Sequence, residues 1–258
     1  MPRLDFEDWT AEQLRCSAFI LAGVPQPANH WWMKLAGAEP EQVTSNPRLG
    51  SSQAVGRFGP GTLVVSTQPD RVDWFLGPVP IESASVQGLA ATDPKPPSIG
   101  NAAEAFDVFS VLSNQWLAFD DIPNVNRLAL GGVLSHQEGD KRVAYLRLPD
   151  YVPVQVDPES SDFLYQISLP THSRLDIEGL MINRLSKWAV TMFKLISLNA
   201  PGAPLAHDLM TTIALRTEID VNTAQEYQKE LPKDRLAQIM DELVEYGRDL
   251  ITNGVVKR

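Results

Sequence analysis

A single cysteine, Cys16, is all the thiol chemistry this chain possesses. That excludes an intramolecular disulfide and a cysteine-rich zinc site, and it fits a reducing, cytoplasmic setting. Histidine is almost as scarce. His30, His136, His172 and His207 stand singly, and no HExxH or similar ligand spacing joins them. No metal and no cofactor is therefore expected. Long apolar runs are missing too: SAFILAGV, from Ser17 to Val24, is far too short to span a bilayer. The opening MPRLDFEDWT is acidic and polar, unlike a secretory signal. Runs of Lys and Arg are absent, and 22 basic residues against 32 acidic ones leave a net charge of −10. That balance repels a phosphate backbone and argues against nucleic-acid binding.

Catalytic motifs are also lacking. There is no GxSxG elbow, which removes the α/β-hydrolase reading. The glycine-rich GSSQAVGRFGPG (50–61) has no Gly-Lys-Ser/Thr and is broken by Pro60, so it reads as an ordinary loop and not a phosphate cradle.

What is present is architecture. With 258 residues the chain can bury a core without staples. Thr10 and Gln13 resemble a capping box, which predicts a helical turn leading into a strand over 17–24. The proline-bearing stretch 25–60 reads as loop with one short helix, capped by Asn29 and ended by Gly37. Thr62–Thr67 and Arg71–Leu76, parted by Gln68-Pro69-Asp70, read as a hairpin. Residues 91–100 read as a stiff linker. Asn101 and Glu104 then open an amphipathic helix carrying Phe106, Phe109, Leu112 and Trp116. NRLALGGVLSHQ reads as a strand with a bulge at Gly131 and Gly132, and SDFLYQISLPT as another strand. The stretch 180–197 suits a helix by the spacing of Met181, Leu185, Trp188, Met192 and Leu195; its place between strands favours a long strand instead. ALRTEIDVNT alternates, with Leu215, Thr217, Ile219 and Val221 on one side. Pro232 starts a final helix whose stripe is Leu236, Ile239, Met240, Leu243, Tyr246 and Leu250, closed by Gly254. The expected class is α+β: antiparallel sheets, each followed by an amphipathic helix. Residues 1–122 and 123–258 form two such units, either a duplicated strand-rich unit or one continuous domain.

Three groups of residues are candidates for function. The first is NHWWMK (29–34). Adjacent residues point in different directions, so Trp32 is expected to enter the core and Trp31 to lean outward beside Met33 as a partner contact. The second is the basic stretch MINRLSKWAVTMFK, with Arg184, Lys187, Trp188 and Lys194, which suits an acidic partner or phosphate if exposed. The third is Glu218 and Asp220 with Arg216 on one strand face. Paired carboxylates can hold Mg²⁺ or exchange protons, yet a solvated strand face with an Arg–Glu pair explains them as well. His207-Asp208 and a Cys16–His30 thiolate pair are weaker alternatives. The leading expectation is a non-catalytic accessory subunit that binds a protein partner in a multi-protein, prokaryotic system. The alternative is an enzyme or small-ligand binder, of acid–base or metal-dependent hydrolase type, with a cavity between sheet and helix.

Overall fold

In the computed structural model, alternation governs the first element. Ala11, Leu14, Cys16, Ala18 and Ile20 are buried along one side of β1 (Thr10–Ala22). The helical turn expected at Thr10 is replaced by extended backbone, because Ala11 pairs with Gly100 on one side and Leu134 on the other. The structure describes residues 3–22, 25–80, 96–197 and 207–256; the side chains of 22, 195–197 and 207–210 are not among those described. Most of the expected 91–100 linker, and the His207 and Asp208 side chains, lie outside this set.

Helix α1 (Ala28–Ala36) follows, ended by Gly37 in the left-handed region as expected. Its N-terminus is not capped by Asn29. The first turn begins at Ala28, whose N–H donates to Ser52 Oγ at 2.7 Å. The rest of the expected loop is a sheet margin. Strands β2 (Gln42–Asn46) and β3 (Ser51–Phe58) pair antiparallel, and β3 continues into β4 (Gly61–Gln68) and β5 (Arg71–Gly77). Thus GSSQAVGRFGPG is mostly strand. Gly56 within it lies under Trp32: a Cβ there would sit 2.9 Å from the indole. Only glycine allows that approach.

The short β6 (Gly100–Asn101) leads into α2 (Ala102–Leu117). The Asn101 side chain accepts the Ala103 and Glu104 N–H groups, so the expected cap is in place. Then come β7 (Asn124–Glu138), α3 (Lys141–Arg147), β8 (Leu164–His172), β9 (Met181–Ser197), β10 (His207–Thr223) and α4 (Leu236–Asn253). The stretch 180–197 is strand, because its pairing with β8 and β10 satisfies both of its edges.

All strands among the described residues join one antiparallel sheet in the order β2-β3-β4-β5-β1-β7-β10-β9-β8, with β6 beside β1. The β1–β7 ladder is the seam. On each side of it the chain runs strand, helix, three or four strands, helix, and the strands fan outward in the same sequence. Helices α1, α2 and α4 pack on one face. On the same side, the turn after α3 stacks Tyr151 on Trp188 at 4.6 Å. This layer is unusually aromatic. Trp9, Trp31, Trp32, Trp74, Trp116 and Trp188 are all at most 2% exposed.

The glycine bulge is not observed. Gly131 and Gly132 sit in unbroken register, opposite Arg15 and Leu14 on β1 and Asp220 and Ile219 on β10. The irregularities of the β1–β7 ladder lie instead at its two ends, one around Glu12, between Ala11 and Gln13, and others between Phe19 and Ala22.

Candidate functional site on the open face of the sheet

Because side chains alternate along a strand, one face of the sheet meets the helices and the other faces outward. The outward set on the central strands runs in rows. One row reads Phe75 on β5, Arg15 on β1, Gly131 on β7, Asp220 on β10 and Leu185 on β9. Gly131 has no side chain, so the Arg15 guanidinium passes over it and reaches Asp220 at 3.6 Å, two strands away. What looks like a backbone break in the sequence is therefore a saddle for a cross-sheet ion pair. Around it lies an open concavity of about 320 Å³, bordered by Arg15, Phe75, Leu185, Glu218 and Asp220.

The neighbouring row is a charge relay. Lys187 contacts Glu218 at 3.3 Å, Arg216 contacts Glu218 at 2.5 Å, and the same guanidinium holds Glu12 at 3.0 Å. The Glu12 irregularity brings that carboxylate within reach of β10. On the other side, Asn222 donates to Asp220 at 2.7 Å and accepts from Asn183 at 3.3 Å. Ser17 donates to Asp73 at 2.5 Å, and Arg71 pairs with that same Asp73 at 2.8 Å. Arg71 and Arg127 flank Phe19, with guanidinium carbons 5.9 and 4.7 Å from its ring centre. Among the described side chains of the five central strands, this face carries Arg15, Arg71, Arg127, Arg216 and Lys187 against Glu12, Asp73, Glu218 and Asp220. It is close to neutral within a chain of net charge −10, so the excess acid lies elsewhere.

The sequence candidates sort clearly. Arg216, Glu218, Asp220 and Lys187 converge on this face. Trp31 and Trp188 do not lean outward: both are fully buried, and Trp32 is 2% exposed. Helix α1 buries Ala28, Trp31, Trp32 and Leu35. Adjacent positions on a helix are about 100° apart, and an apolar stripe of that width admits both rings. Met33 alone of the trio is exposed, at 44%. Cys16 and His30 are not brought together as a pair. Cys16 is fully buried against Ser113, and burial pushes its thiol up to about 12. His30 lies at the surface with Lys34, and both reach Asp121, at 2.9 and 2.6 Å. Chiefly through the Lys34 contact, the Asp121 carboxyl is held below its ordinary 3.8. Arg184 also departs from the basic stretch: it points to the helix side, over Tyr246 and toward Asp249.

The cavity expected between sheet and helix does not contain the acidic pair. Glu218 and Asp220 lie on the opposite face, and the helix side next to them is filled by Leu215, Thr217, Ile219 and Val221. Among the described residues no group of three or more His, Cys, Asp or Glu side chains is arranged to hold a metal ion. No helix among them is long and apolar enough to cross a membrane. The sequence missed Arg15, Gly131 and Glu12 as partners of the acids. The GG pair opposite an alternating strand was their one visible sign. Comparison with protein-family models, with curated proteins and with solved structures finds no match.

Proposed function

We propose that this protein is a non-catalytic docking subunit, and that it receives a protein partner on the open face of its sheet. The observation that carries this reading is the one-sided layering. The helices cover one face with tryptophan and leucine, whereas the other face presents fixed rows of Arg, Lys, Asp and Glu with Phe75, Leu185 and Phe19 between them. Paired, hydrogen-bonded charges are already ordered before a partner arrives, which lowers the entropy lost on binding. They also select partners by complementarity. A near-neutral face on an acidic molecule lets an acidic or neutral partner approach without repulsion.

The pairing also weighs against the hydrolase alternative. Glu218 is engaged by Arg216 and Lys187, and Asp220 by Arg15 and Asn222. A proton-transferring carboxylate needs reach toward a substrate, and these are turned toward their own neighbours.

The test exchanges one ion pair. Arg15→Asp combined with Asp220→Arg keeps an attraction across Gly131 and reverses the polarity shown to a partner. Wild type and swap are purified from the native host under mild conditions and compared by quantitative mass spectrometry and by footprinting of the complex. A partner that binds the open face is lost from the swap at unchanged thermal stability, and it shields Lys187 in the wild type. Retention by the swap, or shielding at Met33 on the helical side, refutes the reading. Glu218→Gln with an unchanged partner and a lost activity would favour the hydrolase.

A further inference from the structure

The charges of the open face are matched pair by pair, except in one row. Arg15 meets Asp220 and Arg71 meets Asp73. Arg216 and Lys187 share Glu218, and Arg216 also holds Glu12. Arg127, near the start of β7, is left over. Among the described residues no carboxylate pairs with it, and its Nε–H is buried with no hydrogen-bond partner.

The ladder explains where this cation stands. Arg127 is level with Phe19 on β1, and Phe19 is level with Arg71 on β5. One ring is thus flanked by guanidinium groups from the strands on either side, 4.7 Å away for Arg127 and 5.9 Å for Arg71. In this row and the next, the two cations face a single acid, Asp73. That acid is already engaged by Arg71 at 2.8 Å and by the Ser17 hydroxyl. Asp70, in the turn before β5, forms an ion pair with neither guanidinium. A like-charged pair around one ring does not stabilise the sheet by itself. The stem of Arg127 covers Phe19, but a lysine stem would cover it as well. What that packing leaves unused is the planar fork of donors. A guanidinium laid on a ring gives up part of its water while the fork stays fixed. Donors in that condition are unfavourable to leave unmet, and a carboxylate satisfies two of them at once.

We propose that Arg127 is the anchor for an acidic side chain of the partner, an Asp or Glu whose carboxylate enters beside Phe19. This rests on the open face being the docking surface. The other four cations of that face are neutralised from within, so Arg127 is where an incoming negative charge gains most. An incoming cation finds no unmet carboxylate in these two rows.

The probe is acetyl-hexaglutamate amide, with acetyl-hexaglutamine amide as the neutral control, added to the isotope-labelled full chain at low salt. The buried Arg127 Nε–H is shielded from solvent exchange, so its nuclear magnetic resonance signal reports the guanidinium; its absence from Arg127→Lys assigns it. Hexaglutamate should shift this signal and hexaglutamine should not. Arg127→Gln should weaken the hexaglutamate affinity about tenfold or more, as loss of a charge-assisted pair does. Arg127→Lys should keep most of it. Arg142→Gln, which removes an exposed arginine paired with Glu159 on the α3 side, should leave it unchanged. In the partner complex from the native host, carbodiimide should couple Lys at position 127 of the Arg127→Lys chain to a partner Asp or Glu. An equal response to both peptides, or wild-type hexaglutamate affinity in Arg127→Gln, overturns the anchor. So does a partner that is lost from the Arg15–Asp220 swap and fully kept by Arg127→Gln, which leaves the docking reading standing. Retention by the swap overturns both.

Discussion

Replacing Trp31 by alanine measures whether the double tryptophan is scaffold or contact. Trp31 has no exposed surface. Its ring stands edge-on to Trp116 at 5.7 Å and stacks parallel to Phe119 at 6.3 Å. Trp116 in turn lies 4.0 Å from Trp74 on β5, so the ring links α1 and α2 to the sheet. Truncating a buried tryptophan to alanine costs about 3–5 kcal/mol through lost transfer energy and the residual cavity. Set against a total stability of roughly 5–15 kcal/mol, that is a large fraction. For a chain of this size it lowers Tm by on the order of 10 °C. Trp32→Ala, which empties the space above Gly56, should behave alike. Urea unfolding followed by far-ultraviolet circular dichroism is the suitable assay, because it does not depend on the indole removed. The midpoint should fall with little change in slope, and Trp31→Phe should fall less. A Trp31→Ala protein with the wild-type midpoint, but without its partner, would refute the buried assignment and restore the contact role.

The remaining predictions concern groups whose chemistry is altered by folding. Cys16 should resist iodoacetamide at pH 8 in the native state and react on unfolding. With its thiol near 12 in place of 9.0, the thiolate is about a thousandfold rarer than in an ordinary cysteine, before access is counted. Labelling of native protein faster than its unfolding would contradict the burial. Asp121 ties α1 to the segment after α2. Its folded pKa lies below the ordinary 3.8, so the stabilisation it provides is present above that value and is lost as the pH falls through the folded pKa. Asp121→Asn should remove that part of the acid dependence, and an acid unfolding midpoint that does not move would show that the Lys34 contact contributes nothing.

Much of the fold was legible because its local signals agree with its packing. The α2 cap at Asn101, the α4 stripe and the alternation around Ile219 each state one periodicity without competition. The margin β2–β3 was not legible. Its strands set Ser, Gln, Thr and Asn among only a few apolar residues (Val43, Ala54, Val55 and Phe58), and it is held by pairing with β4, which a propensity reading does not see. Trp31 was misplaced for a different reason. Ala28, Trp31, Trp32 and Leu35 are spaced as a helix stripe, but the stripe is hidden unless alanine is counted as apolar. The open-face rows needed the register. Arg15, Gly131 and Asp220 come from three strands, and only the ladder shows that they share a row.

The seam between β1 and β7 also sets how the chain must find its structure. The ladders β3–β4–β5 and β8–β9–β10 each join neighbours in sequence, whereas β1 must wait for partners far along the chain. Arg3 reaches the Asp150 carbonyl 147 residues away, and Tyr151 binds both the Leu4 N–H and the Val255 N–H. Early and late segments are thus fastened to the same central turn. Such a topology closes its longest loops last and refolds on roughly the millisecond-to-second scale of high contact order. Until β1 covers β5 and β7 covers β10, each outer ladder carries one unpaired inner edge.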